Sequence, residues 1–210
     1  MTTETLIPNA SGDENNNNYW DGDSWETGTT NNYQSIDDPV ATPDDDTTKI
    51  QASGGSETWT RDLYNLPAHS GSGTINNITI YFRIYGADAA VGHGKAVLKS
   101  DSTITEGTDQ SNDTGGWETK SQTWTQNPVG PADWTWDDID ALQIGVSLYN
   151  SKSGKTGYIT PCTQVYVVVD YTVGGTTSDI KKIINVPLDN IKKVSKIPKD
   201  KIKKFMGVIK

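Results

Sequence analysis

Asp133-Trp134-Thr135-Trp136-Asp137-Asp138-Ile139-Asp140-Ala141-Leu142-Gln143-Ile144-Gly145-Val146-Ser147-Leu148-Tyr149 decides how the chain is read. Its apolar period changes part-way. Trp136, Ile139 and Leu142 recur every third residue, as in one short helical turn. Leu142, Ile144, Val146 and Leu148 then recur every second residue, as on the buried face of a strand. The stretch predicts a helical turn that feeds a central strand of an all-β core.

Upstream, Ile75 to Tyr85 predicts the strongest strand, with Ile78, Ile80, Phe82 and Ile84 on one face and Thr79, Tyr81, Arg83 and Tyr85 on the other. Thr47 to Ile50, Trp59 to Leu66, Gly94 to Lys99 and Trp117 to Trp124 predict further strands. Thr163 to Val173 closes the series, with Val165, Val167, Val169, Tyr171 and Val173 on one face. Short strands separated by Gly, Pro, Asn and Asp turns, with no long helical pattern, predict a two-sheet antiparallel sandwich of jelly-roll type. An immunoglobulin-like sandwich is the alternative, but Cys162 is the only cysteine and the paired cysteines that favour it are absent. Cys162 reads as a small packed residue at the start of a strand.

Composition divides the 210-residue chain in three. Residues 1–18, polar and rich in Asn, are expected to be an N-terminal arm. Residues 19–173 form the sandwich. Residues 174–210 carry ten lysines against three aspartates, a net of +7, which leaves residues 1–173 at −16 of the chain's −9. A body this acidic repels phosphates and argues against nucleic acid as a partner. No apolar run is long enough to span a bilayer. Met1 to Thr5 has neither a basic nor an apolar signal region, so the expectation is a soluble protein made in the cytoplasm.

The tail is a repeat. Ile180-Lys181-Lys182-Ile183, Ile191-Lys192-Lys193-Val194 and Ile202-Lys203-Lys204-Phe205 begin 11 residues apart, followed by Val186, Ile197 and Val208. A unit this small cannot bury its own apolar face. These nine residues are therefore expected to stack on neighbouring units, on other subunits or on a partner.

These features together resemble tailed-phage virion structural proteins. The resemblance rests on Trp59-Thr60-Arg61-Asp62-Leu63-Tyr64, on Asp138-Ile139-Asp140-Ala141-Leu142-Gln143-Ile144-Gly145-Val146, on the closing Val165-Tyr166-Val167 strand and on the Ile-Lys-Lys repeats. It implies a non-enzymatic virion-surface component, such as a capsid decoration, fibre or tail-associated protein. Its implied partners are other virion proteins and further copies of itself, in a homo-oligomer with a trimer favoured. No catalytic residue is carried over.

The remaining candidates are weighed against plainer roles. His69 and His93, the only histidines, are both read in turns, with nothing in the sequence to mark a catalytic partner. Asp21, Asp23 and Glu26, and separately Asp44, Asp45 and Asp46, place hard oxygen ligands on loops, as calcium requires. They match no EF-hand, and Asp and Gly are also ordinary turn formers. Trp134 and Trp136 are expected to plug the sandwich. Trp20, Trp25 and Trp59 are the candidates for stacking sugars. They carry the alternative function, a carbohydrate-binding adhesin module with host surface glycan as its partner.

Overall fold

A computed structural model describes residues 2–20, 25–27, 31–53, 57–87, 91–151 and 159–174. The chain divides into two units, Met1–Gly174 and Gly175–Lys210, and the fold described is that of the first. All nine apolar tail candidates lie outside the described residues.

Thirteen strands are described: β1 (Thr2–Leu6), β2 (Ala10–Asn15), β3 (Asn18–Trp20), β4 (Trp25–Thr27), β5 (Lys49–Gln51), β6 (Thr58–Asn65), β7 (Thr74–Gly86), β8 (Gly92–Ser100), β9 (Thr103–Glu106), β10 (Gln110–Asn112), β11 (Gly116–Trp124), β12 (Gln143–Asn150) and β13 (Pro161–Thr172). A 3-10 turn covers Asn32–Ser35, and the one α-helix among the described residues, α1, spans Trp136–Asp140. Two antiparallel sheets form the predicted sandwich. One runs β11-β7-β13-β5-β3-β4, with β1 also on β13. The other runs β10-β8-β12-β6-β2, with β9 on β8. The long strands β6, β7, β8, β11, β12 and β13 alternate between the two sheets along the chain, which gives the jelly-roll-like winding.

The core lies where the alternation places it. Ile78, Ile80, Phe82 and Ile84 of β7 and Val165, Val167 and Val169 of β13 come from one sheet. Ile144, Val146 and Leu148 of β12 and Ala96 and Leu98 of β8 meet them from the other. Gly94 allows close packing here, since a Cβ on it would stand 2.7 Å from the Phe82 ring. Cys162 is buried in this core, as expected, and burial pushes its thiol up to about 12.

The helical turn before β12 has a local cause. Thr135 Oγ1 accepts from the Asp138 amide at 3.1 Å, and Asp138 Oδ2 accepts from the Thr135 amide at 2.8 Å. This reciprocal capping box stops the chain from continuing as strand. Trp134, 4% exposed, donates its indole N–H to the Trp124 carbonyl. Trp136 donates to the Gly73 carbonyl and stacks on His69 with ring centroids 4.7 Å apart. Both tryptophans thus plug the sandwich around the start of β12.

The expected N-terminal arm is corrected. Residues 2–15 supply a strand to each sheet: β1 lies along β13 from Thr2↔Tyr171 to Leu6↔Val167, and β2 lies along β6. Edge strands face solvent on one side and need few apolar residues, and only Leu6 of β1 is buried. A polar composition therefore hid them. A second correction concerns His93, which stands in β8 and not in a turn.

Candidate functional site

The outward face of the six-stranded sheet carries the site. Ile144, Val146 and Leu148 enter the core, so the alternate residues Gln143, Gly145, Ser147 and Tyr149 face away from it. Pairing sets their neighbours. Tyr149 lies opposite Trp59. Ser147 lies opposite Arg61 of β6 on one side and Lys95 of β8 on the other. Gly145 lies between Leu63 and Val97. A Cβ on Gly145 would stand 1.9 Å from the Asp62 carbonyl oxygen, so only glycine lets β12 and β6 approach this closely.

The first row is aromatic. The rings of Trp59 and Tyr149 lie 5.0 Å apart, and His93 meets Tyr149 edge-on at 5.9 Å. The second row is charged. Arg61 grips Glu14 of β2 with Nε at 2.7 Å and Nη2 at 2.9 Å, and reaches Glu106 of β9 with Nη1 at 2.9 Å. Lys95 donates to Glu106 at 3.1 Å, while its ammonium stands 4.1 Å from the centre of the Trp59 ring. The hydrogen bond to Glu14 leads the effects that raise the Arg61 pKa. Burial pushes the Glu106 carboxyl up, but the bonds and charges of Lys95 and Arg61 outweigh it and hold Glu106 below its usual range. These four side chains are between 22% and 30% exposed. Pairs in such positions contribute about 0–1 kcal/mol each, so the quartet matters more for geometry than for stability.

A groove of ≈ 410 Å³ opens over this face. Trp59, Thr60, Arg61 and Ser147 line it together with Glu14, Asn16, Ser53 and Glu106. Ser147 is 1% exposed, and its Oγ has no hydrogen-bond partner. An unpartnered buried hydroxyl costs about 1–3 kcal/mol.

Asp62 holds the end of β2 in place from beneath. Facing inward beside Arg61, its carboxylate accepts from the amides of Asn16 (2.6 Å) and Asn17 (2.8 Å), from Asn32 Nδ2 (2.6 Å) and from Tyr64 Oη (3.1 Å). Burial raises its pKa against these four bonds.

Of the three candidate sugar-stacking tryptophans, Trp59 lines the groove. Trp20 and Trp25 are backbone register partners in β3 and β4, which belong to the other sheet. The three candidates therefore do not come from one sheet. Among the candidate calcium ligands, Asp21 and Asp23 and the side chain of Glu26 lie outside the described residues. Asp44 accepts from Thr48 and Thr163, Asp45 is gripped bidentately by Arg83 at 2.6 and 2.9 Å, and Asp46 pairs with Lys49. Among the described residues, no three metal-ligating side chains converge. Each histidine pairs with an aspartate: His69 Nδ1 is 2.7 Å from Asp140, and His93 Nδ1 is 3.1 Å from Asp109.

Glu14, Arg61, Lys95, Glu106 and Ser147 were not foreseen as site residues. They come from five strands, and no local motif links them. The phase of the β12 alternation was the one signal in the sequence, since it turns Ser147 and Tyr149 outward.

No protein-family model and no curated protein matches the sequence. Several solved structures are distantly similar. The C-terminal CBM6 of LamC, a marine laminarinase from Zobellia galactanivorans, is 14% identical, covering 80% of this chain and 100% of that one with a TM-score of 0.38. The CBM22-1 xylan-binding domain of Paenibacillus barcinonensis Xyn10C is 8% identical over 66% of this chain and 82% of that one, at 0.37. An Arthrobacter globiformis T6 isomalto-dextranase complexed with panose is 11% identical over 80% of this chain and 32% of that one, at 0.32. Likenesses this distant carry no functional argument, and the assignment below rests on the groove.

Proposed function

We propose that this chain is a non-catalytic glycan-binding module and that the groove on the six-stranded sheet is its site. One observation carries the reading: Ser147, whose buried hydroxyl has no hydrogen-bond partner, lines the same groove as Trp59. A sugar ring has an apolar C–H face and a rim of hydroxyls. The part of the Trp59 indole that Lys95 leaves uncovered suits the first, and the Ser147 hydroxyl with the Arg61–Glu14–Glu106 lattice suits the second. Electrophoresis through gels that contain polysaccharide tests this. The full chain is expected to be retarded, and Trp59→Ala to run freely while keeping its β-sheet circular dichroism. Equal mobility of the two proteins in every gel would count against the reading.

A second reading belongs to the tail. Its 11-residue spacing of Ile180, Ile191 and Ile202 supports a device for self-association or attachment to a larger particle, as the resemblance to virion structural proteins implies. The two roles are compatible: the tail would anchor what the sandwich uses to bind.

A further inference from the structure

The charge arrangement in the groove narrows the class of glycan, an inference that rests on the glycan-binding reading. Arg61 and Lys95 are balanced by Glu14 and Glu106, and each cation is already engaged. Arg61 commits Nε and Nη2 to Glu14 and Nη1 to Glu106; Lys95 is committed to Glu106 and to the face of Trp59. An acidic sugar would add a carboxylate to a cluster whose two cations Glu14 and Glu106 already neutralise, with no excess positive charge to offset its desolvation, while residues 1–173, at −16, repel it from a distance.

Hydroxyl groups face no such conflict. A guanidinium has five N–H donors, of which three are used here, so one remains on each Nη. Both oxygens of Glu14 and one of Glu106 each accept one of these bonds, the other Glu106 oxygen accepts from Lys95, and each keeps a second lone pair. The groove therefore presents free donors and free acceptors side by side, and Ser147 adds one group that does both. Sugar hydroxyls, each donor and acceptor at once, match that pattern without adding charge. We infer that the groove selects a neutral, hydroxyl-rich saccharide over an acidic one.

The experiment compares binding of the full chain to neutral polysaccharides (dextran, laminarin, arabinoxylan) and to acidic ones (alginate, polygalacturonate), by gel retardation and calorimetry. The inference expects at least one neutral polymer to bind more than about tenfold tighter than either acidic polymer. It expects that affinity to change less than about twofold between ~50 and ~500 mM salt, because no net charge is neutralised. Ser147→Ala should weaken binding without destabilising the fold, since its hydroxyl has no partner to lose. The double variant Glu14→Gln, Glu106→Gln frees both cations and should gain affinity for alginate.

The other outcomes separate the two claims. Tighter binding to an acidic polymer, lost in Trp59→Ala, would overturn the neutral class and leave the glycan-binding reading standing. Binding to no polymer at all would overturn both. Neutral binding that is unchanged in both Trp59→Ala and Ser147→Ala would overturn the site. If the Glu14, Glu106 double variant does not fold, the wild-type comparison and Ser147→Ala decide on their own.

Discussion

Asn32 Nδ2 stands 2.6 Å from Asp62 Oδ2 inside the protein, and both residues are completely buried. The same Asn32 amide also donates to the Asn17 carbonyl at 2.9 Å. This pair ties the 3-10 turn to β6 and, through Asn16 and Asn17, to the end of β2 that carries Glu14. A buried carboxylate with four donors is a costly group to remove. Asp62→Ala is expected to destabilise the fold by about 3 kcal/mol or more in urea denaturation, because it strands several buried donors. Asp62→Asn keeps one acceptor and should cost less.

The same carboxyl gives a pH signature. Burial raises its pKa in the fold above the ordinary 3.8, so the folded state holds a proton that the unfolded chain releases. The contribution is most favourable below 3.8 and is lost as pH rises through the raised value. Stability curves of wild type and Asp62→Asn should therefore diverge across that window and run parallel above it. Curves parallel throughout would refute the assignment.

Glu4 has the opposite sign. Burial pushes its carboxyl up. Hydrogen bonds from the Ser70 hydroxyl and amide (2.6 and 2.7 Å) and the Gly71 amide (2.9 Å), with the nearby His69, bring it below 4.5. Its hold on the loop is present above 4.5 and lost as pH falls through the depressed value. Hydrogen-exchange protection of the Ser70 and Gly71 amides should fall on acidification and be low at every pH in Glu4→Ala.

The capping box should behave as one unit. Thr135→Ala is expected to cost about 1 kcal/mol. Because Thr135 and Asp138 cap each other, adding Asp138→Ala should cost less than the sum of the single changes. Additive losses would show that the two bonds act independently.

Cys162 should be inert in the native protein. A thiol buried in the core and pushed up to about 12 presents almost no thiolate at neutral pH. Modification by an aromatic disulfide reagent should follow the unfolding rate and go to completion in denaturant. Rapid labelling without denaturant would contradict this burial.

A chain ending at Gly174 should keep the wild-type melting temperature, since β13 closes the sandwich at Thr172. Light scattering on the two lengths then tests the tail. A discrete oligomer for the full chain and a monomer for the short one supports self-association. Two monomers would leave attachment to a separate partner as the role of the repeats.

What the sequence by itself determined was local. The alternation in Ile75 to Tyr85 and Thr163 to Val173 specified two central strands, because burying one face of a strand requires every second residue to be apolar. The switch of period at Leu142 placed the helical turn and β12. Tertiary structure alone decided the rest. β1 and β2 exist because β13 and β6 offer open edges, and hydrogen bonding to an edge leaves no apolar period to read. Trp59 was separated from Trp20 and Trp25 by sheet membership, which composition does not encode. The groove needed Glu14, Arg61, Lys95, Glu106 and Ser147 to arrive from five strands. Register across β2, β6, β12, β8 and β9 brought them together, and register is a property of the paired sheet, not of any one segment.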